Sequence, residues 1–163
     1  MTSVRWIMLT AVLATGVSID DPLQAAPAQT QDASRRLYDR VMEEFRRKDY
    51  EAALAGFRLF LELHGQSALA ANAHFWIGEC QFRLGRYKDA LASFYNVVSY
   101  YPLSAKLASA TWRIGLAHAK LGDHEKARLM YERVVNDYPD SPEAELARNA
   151  LEILAAKDEP PRE

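Results

Sequence analysis

With a single cysteine, Cys80, this 163-residue chain can form no internal disulfide, so its stability has to come from packing. The residue 37 positions later is Ala117, which gives the Cys80 thiol the role of a small apolar side chain inside a helix. An excess of one charge is missing as well: 20 Lys and Arg stand against 22 Asp and Glu, a net charge of −2. That balance removes the electrostatic drive for non-specific nucleic-acid binding, and no nucleic-acid partner is expected. Catalytic and metal signatures are also absent: the chain contains no His-x3-His, Cys-x2-Cys, Gly-x-Ser-x-Gly or phosphate-binding glycine loop. His74 and His118 have no carboxylate at ligand spacing, and His64 and His124 fall at predicted turns. The adjacent Glu43 and Glu44 diverge by about 100° around a helix and do not face one substrate. No catalytic residue, metal or cofactor is therefore expected, and the chain is not read as an enzyme.

Long apolar runs are scarce. The one pronounced stretch, Trp6 to Val17, is shorter than the roughly 18 to 20 residues that cross a bilayer. Arg5 precedes it and the small-residue site Ala26-Pro27-Ala28 follows, so residues 1–28 read as an export signal with the mature chain starting at Gln29. The segment holds no cysteine for lipid attachment. A periplasmic protein with no membrane span after cleavage is the expectation.

What the chain does have is repetition. Ala53-x3-Phe57, Ala90-x3-Phe94 and Ala127-x3-Tyr131 recur at an interval of 37 residues. The same interval relates Lys48, Gly85 and Gly122, and relates His64-Gly65, Tyr101-Pro102 and Tyr138-Pro139. A repeat of this length, with a small residue one turn from an aromatic and turn-formers at its ends, marks stacked helical pairs. The fold class is therefore all-α: a right-handed solenoid of three helix pairs with a C-terminal capping helix.

A linker at 29–33 leads into a repeat domain at 34–156, with repeats at about 34–66, 67–103 and 104–140. Helices are predicted over Ser34–Lys48 and Tyr50–His64, Ser67–Leu84 and Tyr87–Tyr101, and Ser104–Leu121 and His124–Tyr138. Gly85 and Gly122 suit a chain reversal because glycine accepts positive φ cheaply. Pro102 and Pro139 cannot continue a helix, Ser104 and Ser141 suit N-caps, and Pro142 suits a first helical position. A seventh helix over 142–156, with Leu146, Ile153 and Leu154 on or near one side, caps the stack. Residues 157–163 read as a polar tail. Within each pair Ala53, Ala90 and Ala127 permit close approach, Gly78 and Gly115 provide the matching gap, and the aromatics at 57, 94 and 131 fill the layer beyond.

These residues resemble the tetratricopeptide repeat, whose pattern ends in a small-x3-aromatic pair and a proline. The departures are His74 and Thr111 where that pattern has Trp, three extra residues per copy, and Val41 and Gly65 in the first copy where later copies carry Gly and Pro. A narrower resemblance rests on Asn72-Ala-His-Phe-Trp-Ile-Gly78, Gly85-Arg-Tyr-Lys-Asp-Ala-Leu91, Val97-Val-Ser-Tyr-Tyr-Pro102 and Val134-Val-Asn-Asp-Tyr-Pro-Asp-Ser141. Together they look like the C-terminal repeat domain of the YbgF/CpoB family, without that family's N-terminal coiled coil. The resemblance implies a non-enzymatic adaptor of the Tol–Pal system in envelope constriction and division, with TolA or a peptidoglycan synthase as partner. The alternative is an accessory subunit of an outer-membrane assembly, secretion or pilus complex.

In stacked pairs the first helices line the inner face, and positions three, four and seven apart share it. The predicted partner-binding residues are Tyr38, Phe45 and Arg46 in the first copy, Phe75, Glu79, Phe82 and Arg83 in the second, and Trp112, Leu116 and Lys120 in the third. Two ladders emerge at the 37-residue interval, an aromatic one of Tyr38, Phe75 and Trp112 and a cationic one of Arg46, Arg83 and Lys120. Aromatics dominate interface energetics and arginine pairs well with carboxylates, so the ladders suit a peptide with apolar anchors and acidic groups. Aromatics at helical spacing equally suit a core, with the cations solvating its edge. Tyr38 and Met42 stand where the carboxylate clamp of chaperone-binding repeats needs a cation and an amide, so a C-terminal chaperone tail is not the expected ligand.

Overall fold

The computed structural model describes residues 22–158, with side-chain surroundings for 31–156. Seven helices and no strand occur among them: α1 Pro22–Arg46, α2 Tyr50–His64, α3 Ala70–Arg83, α4 Tyr87–Tyr100, α5 Leu107–Lys120, α6 His124–Asp137 and α7 Pro142–Asp158. Each helix packs on its neighbours in the chain, and α7 also reaches α5. This is an all-α solenoid of three antiparallel pairs closed by a single helix.

The turns inside the pairs are short because their backbone is bent sharply. Gly85 and Gly122 have φ of 75° and 81°, and Lys48, the equivalent residue of the first pair, is held at φ 64°. Asp49 and Asp123 then start the second helices, their carboxylates accepting the amide hydrogens of Ala52 and Lys126. Between pairs, α3 and α5 begin three residues later than expected. Ser67 and Ser104 instead shape an extra turn: each hydroxyl accepts from the amide two residues on, at 3.2 and 3.1 Å, and each carbonyl accepts from the amide three residues on. Ser141 does cap its helix, accepting from the Ala144 amide at 3.2 Å.

Residues 29–33, expected as a linker, lie inside α1. Good helix formers and an Asp32–Arg36 ion pair one turn apart carry the helix past Ser34, whose hydroxyl donates to the Gln31 carbonyl. The expected signal falls mostly on residues 1–21, outside the described residues. The tail expected from 157 begins later, because α7 runs to Asp158, and 159–163 are likewise outside.

The core divides into three clusters, two centred between successive pairs and one against the cap. Ala53, Ala90, Ala127, Phe57 and Phe94 are fully buried and Tyr131 nearly so. The glycines of the first helices serve the aromatics and not the alanines: a Cβ on Gly78 would stand 2.6 Å from the Phe94 ring, and one on Gly115 would stand 2.4 Å from Tyr131. Cys80 lies in the first cluster, and burial pushes its thiol up to about 12, as suits a packing residue.

The cap keeps the repeat register. Ala147, Leu151 and Leu154 stand 37 residues beyond Ala110, Ile114 and Ala117, and Ala144, Ala147 and Leu154 are buried. Leu146 and Ile153, expected to share a face with Leu154, are exposed at 48% and 59%. Glu152 occupies the register position of Gly115, which closes off the contact a further second helix would need.

Candidate functional site on the inner face

The first helices α1, α3, α5 and α7 stand side by side, joined by side chains. Phe45 meets Trp76 with ring centres 4.8 Å apart, and Ser109 donates to Glu143 at 2.6 Å. Between α3 and α5, Arg113 Nη2 donates to Glu79 Oε2 at 2.9 Å, and its Nε lies 2.5 Å from Oε1 without hydrogen-bond alignment. The same guanidinium covers the Phe82 ring at 5.5 Å. Lys106 Nζ sits over Phe75 and Trp76, at 5.1 and 5.6 Å from the ring centres. Such contacts are worth about 0.5–2 kcal/mol each, depending on desolvation.

The aromatic ladder is core. Tyr38 packs edge-on against Phe57 and Phe60 at 5.6 and 5.7 Å, and Phe75 packs on Phe94 at 5.6 Å; the two are 9% and 6% exposed. Trp112 is partly buried, 4.9 Å from Tyr131. The rings turn toward the second helix of their own pair because that is where the large apolar surface lies. Phe45 and Phe82 are partly buried two turns further along, beside Tyr50 at 5.3 Å and Tyr87 at 5.1 Å.

The cationic ladder is on the surface. Arg46 pairs with Glu43 at 3.1 Å, whereas Arg83 and Lys120 are exposed and have no carboxylate within ion-pair reach among the described residues. Glu79, expected at the surface, is 2% exposed. Burial raises its pKa, and the positive fields of Arg113, Arg83 and Lys106 oppose that rise. One enclosed carboxylate therefore sits among three cations, and the inner face between α3 and α5 keeps an excess of positive charge. Leu116 and Lys120 line a cavity of about 240 Å³ between α5, α6 and α7.

Sequence reasoning missed Lys106, Arg113, Trp76 and Ile153. Trp76 and Arg113 share a register position 37 residues apart, and a carboxylate at an apolar inner position calls for a cation on the next first helix. Those two signals were available in the sequence. Lys106 gave none, because it precedes the helix and reaches back.

Residues 69–140 match the family model described as tetratricopeptide repeat. This chain carries tetratricopeptide repeats over the matched residues. Its first repeat lies outside the match, where Val41, Lys48 and Gly65 replace two glycines and a proline of the later repeats. Among solved structures, the fold resembles the Yersinia enterocolitica type III secretion chaperone SycD in complex with a peptide of the translocator YopD, at 17% identity and TM-score 0.68, covering 78% of this chain and 96% of that one. An alternative dimer of the same chaperone gives 16% identity and TM-score 0.70, covering 79% and 96%. The second tetratricopeptide domain of human RPAP3 in complex with an HSP70 peptide gives 20% identity and TM-score 0.61, covering 78% and 97%. No curated protein sequence matches the chain. The tetratricopeptide repeat is a protein-interaction fold, and no helix among the described residues is long and apolar enough to cross a membrane.

Proposed function

We propose that this protein is a non-enzymatic scaffold that binds an acidic segment of another protein along its inner face. The observation that carries this is the pair Arg83 and Lys120: both are exposed, lack an acidic partner among the described residues, and stand at the same register position on consecutive first helices. A basic residue kept solvated at one position of every repeat serves a ligand that runs across the repeats. The apolar stretch and small-residue site at the N-terminus support a periplasmic place of action. The resemblance to the YbgF/CpoB family supports an adaptor role in Tol–Pal-associated constriction and division, with TolA or a peptidoglycan synthase as the partner. The fold likeness to SycD, in complex with a translocator peptide, favours a second reading as an accessory subunit of a secretion or assembly complex.

The test is photo-crosslinking in cells from a benzoyl-phenylalanine placed at position 83, with position 58 on the outer helix α2 as control. A polypeptide captured from 83 and not from 58 supports the inner face, and its identity as TolA, a peptidoglycan synthase or a secretion component chooses between the readings. Capture from 58 alone overturns the assignment. Fractionation and N-terminal sequencing test export, with Gln29 as the expected first residue.

A further inference from the structure

The three repeats treat one layer of the inner face differently. In the first, Phe45 is enclosed by Tyr50 and Trp76, with ring centres 5.3 and 4.8 Å away. In the second, Phe82 is enclosed by Tyr87 at 5.1 Å and the Arg113 guanidinium at 5.5 Å. The residues at the corresponding positions of the third are Ala119, His124 and Ala150, each smaller than its counterparts. All three line the 240 Å³ cavity, together with Tyr131 of α6 and Ile153 and Leu154 of α7. An apolar cavity of about 150 Å³ already holds benzene. The space left by the exchange of phenylalanine for Ala119 therefore admits a whole aromatic side chain.

Lys120 stands at the rim of that cavity with no acidic partner among the described residues. Ile153 exposes apolar surface beside it, 59% accessible. We propose that the cavity takes the phenylalanine side chain of a bound peptide, completing the third aromatic layer, and that an acidic residue next to it pairs with Lys120. This rests on the reading of the inner face as a binding surface and names the partner chemistry at its C-terminal end.

The test is an NMR titration of the 15N-labelled full-length chain with acetyl-Phe-Glu-amide, with acetyl-Ala-Glu-amide and acetyl-Phe-Lys-amide as controls. Saturable shifts are expected at the amides of Ala119, Lys120, Ile153 and Leu154, with Kd on the order of 1 mM for so small a probe. The alanine probe should give none. Ala119→Phe should raise the melting temperature and abolish the shifts, because its ring would fill the cavity as Phe45 and Phe82 fill theirs. Lys120→Glu should weaken the Phe-Glu probe about tenfold and turn preference toward Phe-Lys. Should Ala119→Phe not fold, Ile153→Glu on the exposed rim replaces it, again with loss of binding expected. Shifts that persist in these variants, that are equal for the alanine probe, or that never saturate overturn the proposal. Shifts that follow protein concentration without any peptide would give the cavity to a second copy and overturn it equally. Crosslinking from position 83 that survives such a failure leaves the inner-face reading intact, so the two fail separately.

Discussion

Val41 occupies the space that a side chain on Gly56 would need: a Cβ there would stand 2.6 Å from Val41 Cγ2 and 2.9 Å from Cγ1. In the second repeat the corresponding residues are Gly78 and Ser93, so the first repeat has moved its glycine from the first helix to the second. Valine is stiff at χ1 and cannot swing aside. Gly56→Ala should therefore cost about 1–3 kcal/mol through overpacking. In a Val41→Ala background the same change should cost less, giving a non-additive double-mutant cycle by urea denaturation. Additive costs would show that the two residues do not compete for one space.

Lys48 holds the left-handed conformation that Gly85 and Gly122 hold in the later turns. A side chain in that region costs about 1–2 kcal/mol, partly offset by the greater unfolded freedom of glycine. Lys48→Gly should therefore stabilise the protein by up to about 1 kcal/mol, and Gly85→Ala should destabilise it by about as much. Paired thermal melts test both, and a lower melting temperature for Lys48→Gly would contradict the first.

Glu79 and Arg113 form the ion pair that ties α3 to α5, and the side chains are 3% and 24% exposed. Removing one partner strands the other. Arg113→Met alone should cost about 2–4 kcal/mol, somewhat below the usual loss for a buried pair because Arg113 keeps some solvent. Glu79→Leu with Arg113→Met should return to within about 1 kcal/mol of wild type, since desolvation cancels most of the pair's attraction. Equal losses in the single and the double variant would mean that the pair does more than neutralise itself.

The fold was legible because its determinants repeat. Alanine, aromatic and turn residues at a 37-residue interval placed six of the helices in pairs, and the burial of Ala53, Ala90 and Ala127 follows from that register. The inner face was only half legible. Helical spacing says which residues share a face, but not whether a ring there turns outward or folds back on its partner helix. Tyr38 and Phe75 fold back because Phe57, Phe60 and Phe94 offer more apolar surface than solvent does. Arg83 and Lys120, too costly to bury unpaired, kept their predicted exposure. Ala90→Leu tests the packing register directly: the site is fully buried, so an expected loss of about 1–3 kcal/mol should lower the melting temperature.

His118 lies between α4 and the α5–α6 turn, with Tyr95 Oη 3.5 Å from Nε2 and Asp123 Oδ2 3.8 Å from Nδ1. Burial lowers its pKa below the usual 6.5, a fall that Asp123 opposes and Lys126 reinforces. Burial lowers His74 as well. With folded pKa values below the unfolded one, the unfolded chain binds more protons, so these groups contribute stability above about pH 6.5 that is lost as pH falls through the folded values. Glu79 works in the opposite direction, since a raised carboxyl pKa is linked to stability lost as pH rises through it. The contribution of His118 is therefore read as a difference. Between pH 7.5 and 5, wild type should lose more unfolding free energy in urea than His118→Gln does, because the glutamine has no proton to take up. Parallel pH profiles for the two proteins would show that His118 is solvated and titrates as it does in the unfolded chain.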